Sequence, residues 1–166
     1  YAIQSSRAYA RLQPTSNPSA TRGGEQSVET RLALIQQEKE HLTDKVDFIQ
    51  RAKLGGYFVR VFFIGTSDPR INAARVHGRV MQGGHTVPIE KIISRYGRSM
   101  ANLSAAIQIA DRVYVYDNSV DGVEARLCAR TEDGRLRKIY GELPTWVEDA
   151  VGALDRHPDF IDLRAA

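Results

Sequence analysis

From Tyr57 to Ile64 the chain reads YFVRVFFI, aromatic and β-branched, almost unbroken in apolarity and bounded by glycines. Such a run predicts a strand buried on both faces in a parallel sheet, with its one interruption, Arg60, near an edge or the strand's beginning. Upstream, Val46, Phe48, Ile49 and Ala52 predict a helix from Asp44 to about Leu54, ended by Gly55-Gly56. Downstream, Ser67-Asp68-Pro69 combines a capping side chain with a first-turn proline. The helix it opens turns Ala73, Val76 and Val80 inward. Pro88 opens a longer helix to about Ala110, in which Ile89, Ile92, Ile93, Tyr96, Met100, Leu103 and Ile107 recur every three or four residues. Arg112 to Tyr116 alternates as a strand and stops at Asp117-Asn118. Val123 to Arg130 is a further strand, Glu132-Asp133-Gly134 a hairpin turn, and Leu136 to Tyr140 pairs back antiparallel. Pro144 opens the last helix, with Trp146, Val147, Ala150, Val151 and Leu154 inward. Phe160, Ile161 and Leu163 of the tail dock on the body. Strand, helices, strand, hairpin, helix predicts an α/β fold with a C-terminal antiparallel hairpin.

The first part of the chain lacks such a pattern. Residues 1–28 hold Pro14, Pro18, Gly23 and Gly24 among many Ser, Thr and Asn, and read as a loose arm. Within it, Tyr1 to Leu12 has Ile3, Arg7, Ala8 and Arg11 at the spacing of a short helix. Val28 to Leu32 is a short extended segment, and residues 33–42 are helix-prone. The domain proper therefore runs over residues 29–166.

A length of 166 residues suits one domain, and 42% hydrophobic residues suffice for a core. The net charge of +3 is compatible with an anionic ligand. Basic residues form no block and are not interleaved with aromatics along the chain, so a nucleic-acid partner is not expected, and RNA binding through the basic surface is the weakest of the readings. Cys128 is the single cysteine, which excludes an internal disulfide and fits a reducing, cytoplasmic setting. It lies in an apolar run, where an inert buried thiol is the expectation. No apolar run approaches the ~18 residues of a membrane span.

Candidate chemistry concentrates between Arg75 and Arg98. Arg75 and Arg79 are four apart on one helix, and Arg95 and Arg98 three apart on the next, so each pair shares a helix face. Between them Gly83-Gly84-His85 forms a corner. Guanidiniums grip phosphate oxygens through parallel donors. The bend thus reads as a clamp for a phosphorylated ligand, with glycines for flexibility and His85 against the ligand. The alternative is two solvated helices joined by a C-cap turn. Asp117-Asn118-Ser119 ends a strand, where open α/β sheets bind ligands; an ordinary Asx turn explains it as well. Glu29-Thr30 pairs a carboxylate with a hydroxyl suited to a substrate group. The histidines, His41, His77, His85 and His157, lack metal-ligand spacing, so no metal site, zinc included, is expected.

The block QRAKLGGYFVRVFFIG, followed by DPRINAARVHGRVMQGGHTVPIEKIISRYGRSMANL and ADRVYVYDNS, resembles the zeta-toxin-like family of P-loop kinases. More narrowly it is similar to a short bacterial branch labelled predicted ABC-type ATPases. That branch carries R-V-x-x-R-V-x-x-G-G-H-x-V-P, I-x-x-R-[YF]-x-R-S, an N-L pair and A-D-R-x-x-x-Y-D-N-S, and each letter is present here. The resemblance covers residues 46–119 most closely. It implies a P-loop-kinase-like sheet flanked by helices, ATP and Mg²⁺ as cofactors, and phosphorylation of a small-molecule hydroxyl. In zeta toxins proper the substrate is a UDP-linked amino sugar, and the enzyme is the toxin of a toxin–antitoxin pair, which implies an antitoxin partner. Carried over, Arg79 and one of Arg95 or Arg98 match the arginines on the ATP phosphates. Glu29 and Thr30 match the start of a substrate-side F-E-T-T-L motif, here V-E-T-R-L with Arg31 in place of the second threonine.

One departure is large. No G-x-x-x-x-G-K-[ST] loop occurs, so the backbone cradle and lysine that hold the β- and γ-phosphates are missing. The chain is then part of a longer kinase, a truncated form, or a kinase-derived domain that binds a nucleotide or a protein without chemistry. Without the P-loop strand, the flank of the strand at 57–64 would stand open, and a second copy or a partner would cover it.

Overall fold

The computed structural model describes residues 7–14 and 44–164. Six strands form one mixed sheet in sequential order: β1 (Arg7–Pro14), β2 (Tyr57–Gly65), β3 (Arg112–Asp117), β4 (Arg126–Glu132), β5 (Arg135–Ile139) and β6 (Arg156–Asp162). The β2–β3 and β5–β6 pairs are parallel and the others antiparallel. Four helices accompany it among the described residues: α1 (Asp44–Leu54), α2 (Pro69–Val80), α3 (Ile89–Ile109) and α4 (Thr145–Val151). The expected α/β class and the C-terminal hairpin are present.

The core lies between one sheet face and helices α1, α3 and α4. Val59, Val61, Phe63, Val113 and Val115 bury almost completely against Ile49, Leu103, Ile107, Val147 and Val151. Removing a side chain such as Phe63 from water contributes roughly 3 kcal/mol. Helix α2 packs on α3 rather than on the sheet. Gly56, at φ +77°, closes α1 in the left-handed region that glycine enters without strain. Asp111, in the turn before β3, accepts from the Val59 amide at 2.7 Å and pairs with Lys53 at 2.5 Å, joining α1, β2 and β3. The turn at Asp133-Gly134 has positive φ at both residues, as a tight hairpin with right-handed twist requires. Cys128 is fully buried, and burial pushes its thiol pKa up.

Several expectations need correction. Residues 7–12, read as part of a helix, form strand β1. Ala8, Ala10 and Leu12 alternate with Arg7, Tyr9 and Arg11, a period of two, and the backbone pairs along β2 from Arg7 opposite Ile64 to Pro14 opposite Tyr57. The flank of β2 expected to need a partner is thus occupied by β1. Strand β2 is not buried on both faces: its burial alternates, and Arg60 sits mid-strand on the face turned away from the helices. Continuous apolarity here reflects two differently used faces. Ile89 and Ile93 of α3 are 60% and 53% exposed, because the buried stripe of this helix takes in only Ile92 from its first turns. The tail is a strand, β6, with Phe160 against the core and Ile161 exposed.

Candidate phosphate pocket at the strand ends

Strands β2 and β3 run parallel, with Gly65 level with Asp117, so their carboxyl ends open on the same side. The chain leaves β2 through Thr66-Ser67-Asp68. Asp68 caps α2 by accepting from the Arg70 amide at 2.7 Å, and Pro69 takes the first-turn position. The side-chain hydrogen bond from Arg70 holds the Asp68 carboxyl below its ordinary pKa. Buried Thr66 accepts from Tyr96 at its carbonyl, 3.0 Å, and from Asn72 at its hydroxyl, 3.2 Å, so α2 and α3 are both fastened to this turn. Burial, with the nearby Asp68 charge, raises the Tyr96 pKa.

Past β3, the Asp117 carboxylate accepts from the Ser119 hydroxyl at 2.5 Å and the Trp146 indole at 2.9 Å. Ser119 in turn accepts from the Ser67 amide at 2.9 Å, and the Asn118 amide donates to the Gly65 carbonyl at 2.8 Å. The two strand ends and α4 therefore form one hydrogen-bonded frame. Arg75 spans from α2 to this frame. Its Nη1 donates to the Asn118 carbonyl at 2.9 Å, its Nη2 to the Val120 carbonyl at 3.2 Å, and its Nε faces Asp121 at 3.3 Å.

Between α2 and the loop after β3 lies a cavity of about 600 Å³, lined by Ile71, Ala74, Arg75, Gly78, Arg79, Gln82, Ser119 and Asp121. Arg75 forms its wall, with each of its three guanidinium nitrogens already engaged by the loop. Arg79 is the cation with spare capacity: its Nε reaches the Arg75 carbonyl at 3.3 Å, and among the described residues no carboxylate pairs with its guanidinium. Gly78 leaves the floor open, since a Cβ there would meet nothing within 4 Å.

The sequence-derived site residues divide. Arg75 and Arg79 line the cavity, and Asp117 and Asn118 build its frame. Arg95 is half-buried and Arg98 exposed, outside the lining; Arg98 donates to the Ser94 carbonyl of its own helix at 3.4 Å. Gly83 and Gly84 terminate α2. Gly83 has φ +88°, the Gly84 amide donates to the Arg79 carbonyl at 2.8 Å, and a Cβ on Gly84 would lie 2.8 Å from that oxygen. Both glycines are accounted for by this C-cap geometry. His85 is exposed beyond it. Glu29 and Thr30 lie outside the described residues. Ser119, which the sequence groups with Asp117-Asn118 at the strand end, lines the cavity as well. Asp121, Gln82 and Trp146 belong to the site without having been singled out as site residues.

Fold and cavity together define an α/β protein with a hollow at the carboxyl ends of two parallel strands, lined by Arg75, Arg79 and Asp121 among others. Comparison of the chain with models of protein families, with curated proteins and with solved structures finds no match. Among the described residues no helix is long and apolar enough to cross a membrane, and no three Asp, Glu, His or Cys side chains group as a metal site.

Proposed function

We propose that this chain is a zeta-toxin-like phosphotransferase domain that takes the phosphates of ATP in the α2 cavity, with Arg79 as the phosphate-gripping cation, and acts on a hydroxyl of a small molecule such as a nucleotide sugar. The observation that carries this reading is the position of Arg79, unpaired with any described carboxylate in a cavity at the ends of β2 and β3. Arginine suits the triphosphate by charge and by donor geometry. The described donor set fits magnesium less well. Asp117 is committed to Ser119 and Trp146, and Asp121 is 93% exposed and faces Arg75. Mg²⁺ is therefore given no protein site in this proposal, and no step is assigned to it. Arg95 and Arg98 would reach the ligand only by a movement of α3.

The second reading, binding without chemistry, has its own support. No described carboxylate projects into the cavity unengaged, so a general base is not evident, and the sequence has no phosphate loop.

Calorimetry with MgATP tests the shared premise. Arg79→Ala should weaken binding roughly 10- to 100-fold, the loss of one charge-assisted contact of about 1.5–3 kcal/mol. Arg79→Lys should recover part of it. Absence of heat with the unaltered chain at millimolar nucleotide overturns both readings. If ATP binds, phosphate transfer to a UDP-linked amino sugar separates them: turnover establishes the transferase, and its absence leaves the binding domain.

A further inference from the structure

The second face of the sheet brings together what the linear sequence keeps apart. Arg60 and Phe62 on β2 lie level with Arg112 and Tyr114 on β3; Tyr114 is level with Arg130 on β4, and Arg130 with Lys138 on β5. Among the described residues no helix packs on this side. Aromatic rings and cations alternate across it. The Phe62 and Tyr114 rings stack at 5.0 Å with 7° between their planes. The guanidiniums of Arg60 and Arg112 lie 5.3 and 5.7 Å from the Phe58 ring centre, and the Lys138 ammonium 4.9 Å from that of Tyr140.

Charge on this face is unbalanced. One carboxylate, Glu132, meets three guanidiniums: Arg112 directly, Arg137 at 3.6 Å and Arg130 at 3.8 Å. Arg60 and Lys138 add two more cations with no described carboxylate beside them. Arg60, Arg112 and Arg130 each keep a buried Nε, and Arg137 a buried Nη1, without a hydrogen-bond partner. Arg137 also reaches Asp159, at 3.6 Å. Five cations against two acids is still an excess suited to a polyanion. The rings between them narrow the choice. An acidic protein segment would use the cations alone, whereas a single-stranded nucleic acid uses both, setting phosphates on the cations and bases against rings and guanidinium planes.

We infer that this half-buried, cation-rich sheet face binds single-stranded nucleic acid without strong sequence preference, at a site separate from the α2 cavity.

Fluorescence anisotropy of the full chain with a labelled oligouridine of about 15 nucleotides tests it. With three phosphates neutralised, affinity should fall about 18-fold between roughly 50 and 200 mM KCl. The Arg130→Gln/Lys138→Gln double variant should bind roughly tenfold more weakly, and Tyr114→Leu should cost a similar factor through lost stacking. Arg79→Ala should bind as the unaltered chain does, which keeps this result independent of the nucleotide reading. Thermal unfolding followed by circular dichroism checks each fold; if Tyr114→Leu unfolds, the double variant decides alone. Three outcomes overturn the inference: no binding at low salt, undiminished binding by the folded double variant, or displacement of the oligouridine by polyglutamate at equal charge. The last would assign the face to an acidic protein segment. An oligothymidine control reports whether the sugar matters and supports the inference whichever strand binds better.

Discussion

The two arginine pairs of the bend look equivalent on paper and have different fates. Arg75 and Arg79 sit on α2, which begins at a strand end and is fastened there by the Asp68 cap and the Asn72–Thr66 bond. Arg95 and Arg98 sit on α3, which among the described residues is tied to the same turn by the Tyr96 hydroxyl on the Thr66 carbonyl. The first pair faces the Asp117–Ser119 loop and encloses a cavity. The second pair lies outside it, beyond an exposed corner that carries Met81, Ile89 and Ile93. A guanidinium becomes part of a site when the element behind it is held by hydrogen bonds to the site's own frame; matching spacing along a helix does not achieve this.

The largest test strikes that frame. A Cβ at Gly65 would lie 2.7 Å from Trp146 and 2.9 Å from Phe63. The indole cannot retreat without breaking its bond to Asp117. Gly65→Ala should therefore destabilise the fold by about 3 kcal/mol, measured by urea unfolding, and should weaken any ligand at the strand ends. Unchanged stability would mean that the frame is looser than its hydrogen bonds indicate. Arg75→Ala is the next most severe. It removes contacts to two backbone carbonyls from a side chain that is 16% exposed, and about 2 kcal/mol should be lost. Arg75→Lys should restore little of this, because one ammonium cannot span both carbonyls.

How much of this was legible in the chain depended on whether the signal was local. Helix α2 announced itself through Asp68-Pro69, and the β4–β5 hairpin through Asp133-Gly134, each within a few residues. Strand β6 did not, since RHPDFID has neither alternation nor β-branched density. It forms because the β5 edge offers backbone partners, and an edge tolerates Pro158. The alternation at Arg7–Leu12 was present but competed with a helical spacing, and only the free flank of β2 decides between them. The arginines of α2 were legible as a pair, but their partner loop was not. Asp117 meets an indole 29 positions away, and Arg75 meets a carbonyl 43 positions away. The second sheet face was the least legible, because register across separate strands, rather than order along one, sets its rings beside its cations.

Smaller effects belong to the corner. Gly83→Ala places a side chain at φ +88° and should cost about 1 kcal/mol, by loss of the α2 C-cap alone. If nucleotide affinity then stays within about twofold of the unaltered chain, the glycines are structural; a large drop in affinity at unchanged stability would restore them to the ligand.

Arg98→Ala should be the mildest change. The side chain is exposed, and its hydrogen bond to its own helix, at 3.4 Å, is weak, so stability should move by less than about 0.5 kcal/mol. That silence makes the variant informative about binding. Should MgATP affinity fall tenfold in Arg98→Ala while the unfolding curve is unaltered, α3 must swing toward the cavity when the ligand arrives, because a group outside the lining cannot otherwise supply about 1.4 kcal/mol. If affinity also stays put, the clamp is built from α2 alone, and only the pair facing the Asp117–Ser119 loop is chemically engaged.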